Sequence, residues 1–224
     1  GRTMDIDIIL NEFASPQEAA ELGLMAARSG ARGVWSSNYG WSRDPFFSLS
    51  LLAHQSSRIR LGPMAVSPAE LHPLKMANLL FSLNELSRGR AMIMVGGGGA
   101  VLQAIGGKRE RMIRRTRECL EILKGASPDK MMNYNGELYK VWGYQPKWYT
   151  DTPPLIYFGS NHPQSRKLST ELADVTEVEY RQVRLERVVL AGVWTQGTVR
   201  DAERSLEELA RLAETAGSEV LEGV

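Results

Sequence analysis

Cysteine is all but missing from this chain. Cys119 is the only one, which excludes an internal disulfide framework and a cysteine metal knuckle. Histidine is nearly as scarce: His54, His72 and His162 fall in different strand–helix units, without HExxH or carboxylate-triad spacing, so a metal centre has no support. No G-x-S-x-G elbow is present to carry a serine nucleophile. No apolar run reaches the length of about eighteen residues that a spanning helix needs. The opening Gly1-Arg2-Thr3-Met4 has no secretory signal pattern. A cytoplasmic protein without a membrane partner is the expectation. Neither sign of charge dominates, the formal net charge being +1, so there is no bulk attraction to nucleic acid. The basic stretch Lys108 to Arg117 is interrupted by Glu110 and has no interleaved aromatics, which fits a solvated helix face better than a nucleic-acid groove.

What the chain does have is an alternation of apolar strands and amphipathic helices over 224 residues, 43% of them hydrophobic. Met4–Leu10 reads as a strand. Ser15-Pro16-Gln17-Glu18 is a capping box with proline in the first turn, opening a helix whose stripe is Ala20, Leu24 and Ala27. Gly33-Val34-Trp35, Arg58–Val66, Ala91–Val95 and Leu155–Phe158 are further strands. Helices start at Asp44-Pro45 and Pro73, and another spans Lys108–Lys124. Asn135-Gly136 predicts a hairpin turn within an excursion at about 126–154. Ala173–Val178 is a candidate sixth strand. Glu179–Leu190 is a candidate helix, Thr198 caps a late helix with Ala202, Leu206, Leu209 and Ala213 in line, and Glu219–Leu221 is a last short strand. Near-continuous apolar strands separated by helices indicate a parallel sheet. The first strand–helix turn lacks GxGxxG, which removes the warrant for a dinucleotide fold. The expectation is a single α/β domain over 1–224, a TIM-type (β/α) barrel shortened or incompletely represented after the sixth strand.

In such a barrel the working end is the C-terminal edge of the strands. Four segments fall there. After the second strand come Asn38, Tyr39 and Trp41; the aromatics either flank a planar ligand or pack on the rim. After the third come Pro63, Met64, Ala65 and Ser67, a proline- and glycine-containing turn that lets backbone approach a ring, followed by His72, either a ligand contact or a helix cap. Gly96-Gly97-Gly98-Gly99 follows the fourth strand and is either a ligand cradle or a loose loop. Gly159-Ser160-Asn161 joins the fifth strand to a helix, where free N–H groups suit a phosphate. Glycines, hydroxyls, amides and aromatics, with few acids or bases, suit a cofactor whose own ring does the redox step.

These segments resemble the luciferase-like family of flavin- and coenzyme F420-dependent oxidoreductases, closest to its methylenetetrahydromethanopterin reductase-like branch. The likeness is carried in order by Tyr39-Gly40-Trp41-Ser42-Arg43-Asp44-Pro45-Phe46, Arg58-Ile59-Arg60-Leu61-Gly62, His72-Pro73, Glu85-Leu86-Ser87-Arg88-Gly89-Arg90, Leu120 to Gly125, Tyr134 to Glu137, Pro153 to Tyr157 and Leu172-Ala173-Asp174. It implies a dimeric TIM-type barrel passing hydride between F420 or FMN and a small organic substrate. It also implies a ring backed by Pro63, Met64 and Ala65, often through a non-proline cis peptide, with Ser67 alongside. Gly96, Gly97 and Gly98 then lie near the cofactor, and Gly159, Ser160 and Asn161 hold its phosphate. Asn38 and His72 are the catalytic candidates, and Tyr39 and Trp41 meet the substrate. Asn38 departs from the ionisable residue the family commonly carries there. The chain is also shorter than typical members, with the shortfall after about residue 178. An FMN monooxygenase and a non-catalytic flavin-binding protein are the alternatives within the family; a phosphate-metabolite barrel enzyme is the alternative outside it.

Overall fold

The computed structural model describes residues 6–159 without a break, and beyond them 176–178, 187–190 and 219–223. The chain divides into two compact units, Gly1–Glu179 and Tyr180–Val224. The first unit holds β1 (Asp7–Leu10), α1 (Pro16–Arg28), β2 (Gly33–Ser37), α2 (Pro45–Ser48), α3 (Ser50–Gln55), β3 (Arg60–Val66), α4 (Pro73–Leu86), β4 (Met92–Gly96), α5 (Ala100–Ala104), α6 (Met112–Gly125), β5 (Met132–Asn135), β6 (Lys140–Tyr144), β7 (Leu155–Gly159) and β8 (Thr176–Val178). The second unit contains β9 (Arg187–Leu190) paired in parallel with β10 (Glu219–Gly223). Residues 187–190, expected at the end of a helix, are therefore a strand. Adjacent Val188 and Val189 prefer extended backbone, where branching at Cβ does not crowd a preceding turn. The helix expected from Thr198 lies outside the described residues.

Six strands pair in parallel in the order β1-β2-β3-β4-β7-β8. A sheet that grows in one direction, each strand beside its predecessor, is a wall of a TIM-type α/β barrel; a doubly wound sheet reverses at a switch point. Among the described residues the wall is open, since no described strand joins β8 to β1. No described helix is long and apolar enough to cross a membrane.

Strand alternation sorts the core into two layers. Val34, Leu61, Ile93, Val95 and Phe158 point to the helices and pack with Leu52, Met76, Leu80, Phe81 and Leu120. Trp35, Met92, Met94 and Tyr157 point to the other side, the inside of the barrel wall, with Trp35 and Tyr157 edge-to-face at 5.5 Å. Gly62 is needed where β3 crosses β4, because a Cβ there would lie 1.7 Å from the Met92 carbonyl oxygen.

The local signals at helix starts hold. Ser15 Oγ accepts from Glu18 N–H while Glu18 accepts from Ser15 N–H, and Asp44 accepts from Phe47 N–H. At the N-terminal ends of the strands, Arg90 donates to the carbonyls of Ala53, Ser56 and Ile59, and Asn84 ties α4 to Thr150, Thr152 and Ala91. The motif Glu85 to Arg90 thus secures the end of the wall opposite the strand C-termini.

Two local expectations shift. The helix expected from Lys108 begins at Met112, because Arg111 sits in the left-handed region at φ 54°. The hairpin forms, but Asn135 pairs with Lys140, so its connection is 136–139 rather than a two-residue Asn-Gly turn. The cause is a buried carboxylate. Glu118, 1% exposed on α6, accepts the N–H groups of Glu137, Leu138 and Tyr139 at 2.9–3.0 Å, and Arg114 lies 3.2 Å away. Three convergent backbone donors outweigh the local turn preference. Removing the acceptor strands them beneath α6. Glu118→Ala is therefore expected to lower the unfolding free energy by about 3 kcal/mol in urea titration.

Candidate active site

The site is built on β3. The register between β3 and β4 slips between Met64 and Val66, and the Met64–Ala65 peptide is cis. This bulge turns two successive residues, Met64 and Ala65, toward the inner cluster of Trp35, Met94 and Tyr157. Val66 then returns to the helix side. Pro63 pairs with Ser36, in the helix-facing register, so its part is to shape the strand; the inner surface belongs to Met64 and Ala65.

The neighbouring strand ends carry small residues. Gly96 ends β4 and pairs with Gly159, which ends β7. A Cβ on Gly96 would come within 2.9 Å of the Ala65 Cβ. The bulge and the two glycines therefore form one ledge over an inner wall of Met94, Trp35 and Tyr157. Gly98, at φ 82°, lies over Ser67, whose hydroxyl would sit 3.2 Å from a Cβ there. Gly97 adjoins the guanidinium of Arg109. Ser67 is 1% exposed, with its Oγ accepting from Ala69 N–H, so it belongs to the underside of this ledge. Ser160 and Asn161 lie outside the described residues.

The segment after Gly99, expected as a loop, forms the short helix α5, and a cleft of about 450 Å³ lies among Gly98, Gly99, Leu102, Gln103, Gly106, Gly107 and Arg109. Gly40 packs on this helix, 2.9 Å separating a built Cβ from Ala104. The loop after β2 and the loop after β4 therefore meet. On that rim Tyr39 and Trp41 stack on each other at 5.2 Å and 4°, both exposed. The space between the two rings is filled, which leaves only the outer faces of the pair open to a planar ligand.

Asn38 follows β2 directly. Its backbone N–H donates to Met64 O at 3.1 Å, and its Nδ2 donates to Ala65 O at 3.0 Å and to Glu70 Oε1 at 2.8 Å. Both Nδ2 hydrogens are thus used on acceptors, which turns Oδ1 the other way. Glu70 Oε1 also accepts the Ser67 N–H at 2.8 Å. Burial pushes the Glu70 carboxyl above the ordinary glutamate range, against the Ser67 N–H and the Asn38 amide, which pull it down. Sequence reasoning passed over Glu70. Its one signal was Ser67-Pro68-Ala69-Glu70, a Ser-x-x-Glu spacing directly after a strand.

His72 stands apart from this group. Its Nδ1 accepts the Leu74 N–H at 3.1 Å, capping α4, and its ring meets Tyr139 edge-on at 5.3 Å. Burial draws its pKa below the usual histidine value. Tyr139 in turn donates to Pro68 O at 2.5 Å, so the 126–154 hairpin anchors the loop between β3 and α4.

A parallel barrel wall with this bulge and these glycine ends matches a described family. The model for luciferase-like monooxygenase fits residues 5–211. The chain belongs to the luciferase-like monooxygenase family. Within it, the 5,10-methylenetetrahydromethanopterin reductase of Archaeoglobus fulgidus is 31% identical over 151 residues, covering 67% of this chain and 45% of that protein. The structure of the coenzyme F420 dependent tetrahydromethanopterin reductase from Methanopyrus kandleri superposes with TM-score 0.64 at 21% identity, covering 97% of this chain and 65% of that one. The oxygenating constituent of 3,6-diketocamphane monooxygenase from Pseudomonas putida, in complex with FMN, gives TM-score 0.65 at 18% identity, over 97% of this chain and 64% of that one. The chain spans about half the length of the curated family members it matches first.

The ledge depends on the absence of a side chain at 96. Gly96→Val is expected to overpack the bulge and lower stability by about 1–3 kcal/mol, read as a lower midpoint in thermal unfolding.

Proposed function

We propose that this protein is an oxidoreductase that transfers a hydride between coenzyme F420, or FMN, and a small organic substrate. The observation that carries the reading is the ledge itself: the Met64–Ala65 bulge packed on Gly96, with Gly159 paired beside it, above an aromatic inner wall. Close approach of the main chain is what a flat tricyclic ring needs on one face, and only glycine fits beside the bulge, since a Cβ at 96 would come within 2.9 Å of the Ala65 Cβ. The residues present fit such a group. Met64 and Ala65 would back the ring. Gly96, Gly97 and Gly98 would line its edge, and Gly159, with Ser160 and Asn161 following it in sequence, would take the phosphate. Arg109 beside Gly97 adds positive charge near an anionic tail. Bound there, the cofactor supplies a two-electron carrier; the protein supplies position and exclusion of water. Asn38 and the outer face of the Tyr39–Trp41 stack would meet the substrate. His72 would act through the helix it caps.

The family likeness extends the proposal to a cytoplasmic homodimer. Exposed Phe13, Leu22, Met25 and Phe47 offer apolar surface for a second copy.

Fluorescence titration of the purified protein with F420 and with FMN tests the reading. Saturable binding of one of them is expected, weakened at least tenfold by Gly96→Val, about 1.4 kcal/mol. Reduction of the bound cofactor by a panel of small alcohols without oxygen then supports hydride transfer. Oxygen-dependent turnover of reduced FMN would move the assignment to a monooxygenase. No binding of either cofactor overturns the proposal.

A further inference from the structure

Hydride transfer to or from a hydroxyl or amine carbon has a second half. The C–H pair leaves with the hydride, and the O–H or N–H pair becomes the new double bond, so a proton must also leave. The predicted site residues are glycines, amides, a buried serine and aromatics, none of which takes a proton near neutral pH. His72 has given its Nδ1 lone pair to the Leu74 N–H.

Among the described residues, Glu70 is the carboxyl hydrogen-bonded to Asn38 at the bulge, whereas Asp7, bonded to Trp35, is paired with Arg32. The Glu70 Oε1 receives the Asn38 Nδ2 hydrogen that does not go to Ala65 O, along with the Ser67 N–H, so it lies one amide from the cis bulge. It is half-buried, open enough to exchange protons with solvent. A glutamine would accept the same two hydrogen bonds without the cost of desolvating a charge. What the carboxyl adds is a proton site.

We propose, resting on the cofactor reading above, that Glu70 is the proton-exchanging residue of this site. Its carboxylate takes the proton released from a substrate O–H or N–H as the hydride passes to the F420- or FMN-class cofactor, and its carboxylic acid returns it in the reverse direction. Asn38 and Ser67 are the positioning residues that hold Glu70 at the bulge. The substrates this suits are alcohols or amines bearing a hydrogen on the adjacent carbon, and the matching carbonyls or imines.

Among the described residues, the charged and titratable side chains around the loop are few. His72 lies two residues on. From the hairpin comes Tyr139, hydrogen-bonded to Pro68 O, and from α6 comes Arg115, which donates to the Tyr139 hydroxyl. Arg109 stands beyond Gly97, and from β2 the contact is the neutral Asn38.

Cofactor affinity as a function of pH tests this without a known substrate. A ring seated on the ledge displaces water from the carboxyl and favours its neutral form, so binding takes up a proton. Affinity therefore falls as pH rises through the Glu70 titration. A rise of one pH unit in its midpoint on loading corresponds to about tenfold in Kd between the acid and alkaline limits. The wild type is expected to show that tenfold fall. E70Q is expected to bind at every pH like the wild type at its acid limit. The cofactor's own phosphate titrates in both proteins and cancels in the comparison. Infrared titration of the carboxylic-acid stretch in the wild type, with and without F420 or FMN, gives the same midpoint directly and covers the case in which E70Q does not fold. Identical pH profiles for wild type and E70Q, or a carboxyl midpoint unmoved by loading, overturn the assignment of Glu70 while leaving cofactor binding intact. Absence of binding by the wild type overturns the cofactor reading itself.

Discussion

The fold and the site both rest on how closely β3 approaches β4. At Gly62 the two backbones leave no room for a Cβ, and at Gly96 the Ala65 methyl already fills the space a side chain would take. Between these points the register slips, and Met64 and Ala65 both turn inward. The slip has a direct chemical result. In a regular strand one residue in two faces the inside; here two consecutive ones do, and the carbonyls of both accept from Asn38. The ledge follows from packing two strands more tightly than ordinary side chains permit.

Two glutamates show how environment assigns different work to one side chain. Glu118 has three backbone N–H groups and Arg114 around it, and it fixes the shape of the hairpin connection. Glu70 has one oxygen occupied by two donors, no guanidinium in contact among the described residues, and burial opposing its charge. The first is a structural acceptor, held by backbone donors. The second is poised to change its protonation state. The hairpin links the two, since Tyr139 donates its N–H to Glu118 and its hydroxyl to Pro68, next to the Ser67–Glu70 turn.

The family-like motifs divide along the same axis as the barrel wall. Glu85 to Arg90 and Arg58 to Gly62 gather where strands begin, and Arg90 and Asn84 there satisfy carbonyls and N–H groups that the short connections leave unpaired. At the opposite ends, Tyr39, Gly40, Trp41 and Gly99 are exposed, while Asn38 and Gly96 hold the bulge of β3 from either side. This division agrees with a barrel stabilised at one end and functional at the other.

Much of this was legible in the chain because it depends on short-range rules. The capping box at Ser15, the cap at Asp44, the proline-led starts of α1 and α4 and the apolar β4 each express a local preference that the fold keeps. So does the gathering of the glycine- and proline-containing turns at one end of a parallel sheet. What depended on distant partners was not legible. Glu70 became part of the site through Asn38, thirty-two positions away in the chain, and the loop of Tyr39 and Trp41 meets α5 through Gly40. The Asn135-Gly136 turn yielded to a carboxylate on another helix. Sequence determined the strands of the wall and the capped starts of α1 and α2, since those energies are set within a few residues. Only the tertiary structure decided which carboxyl belongs to the site, because hydrogen bonding and desolvation are set by neighbours that the chain brings together from afar.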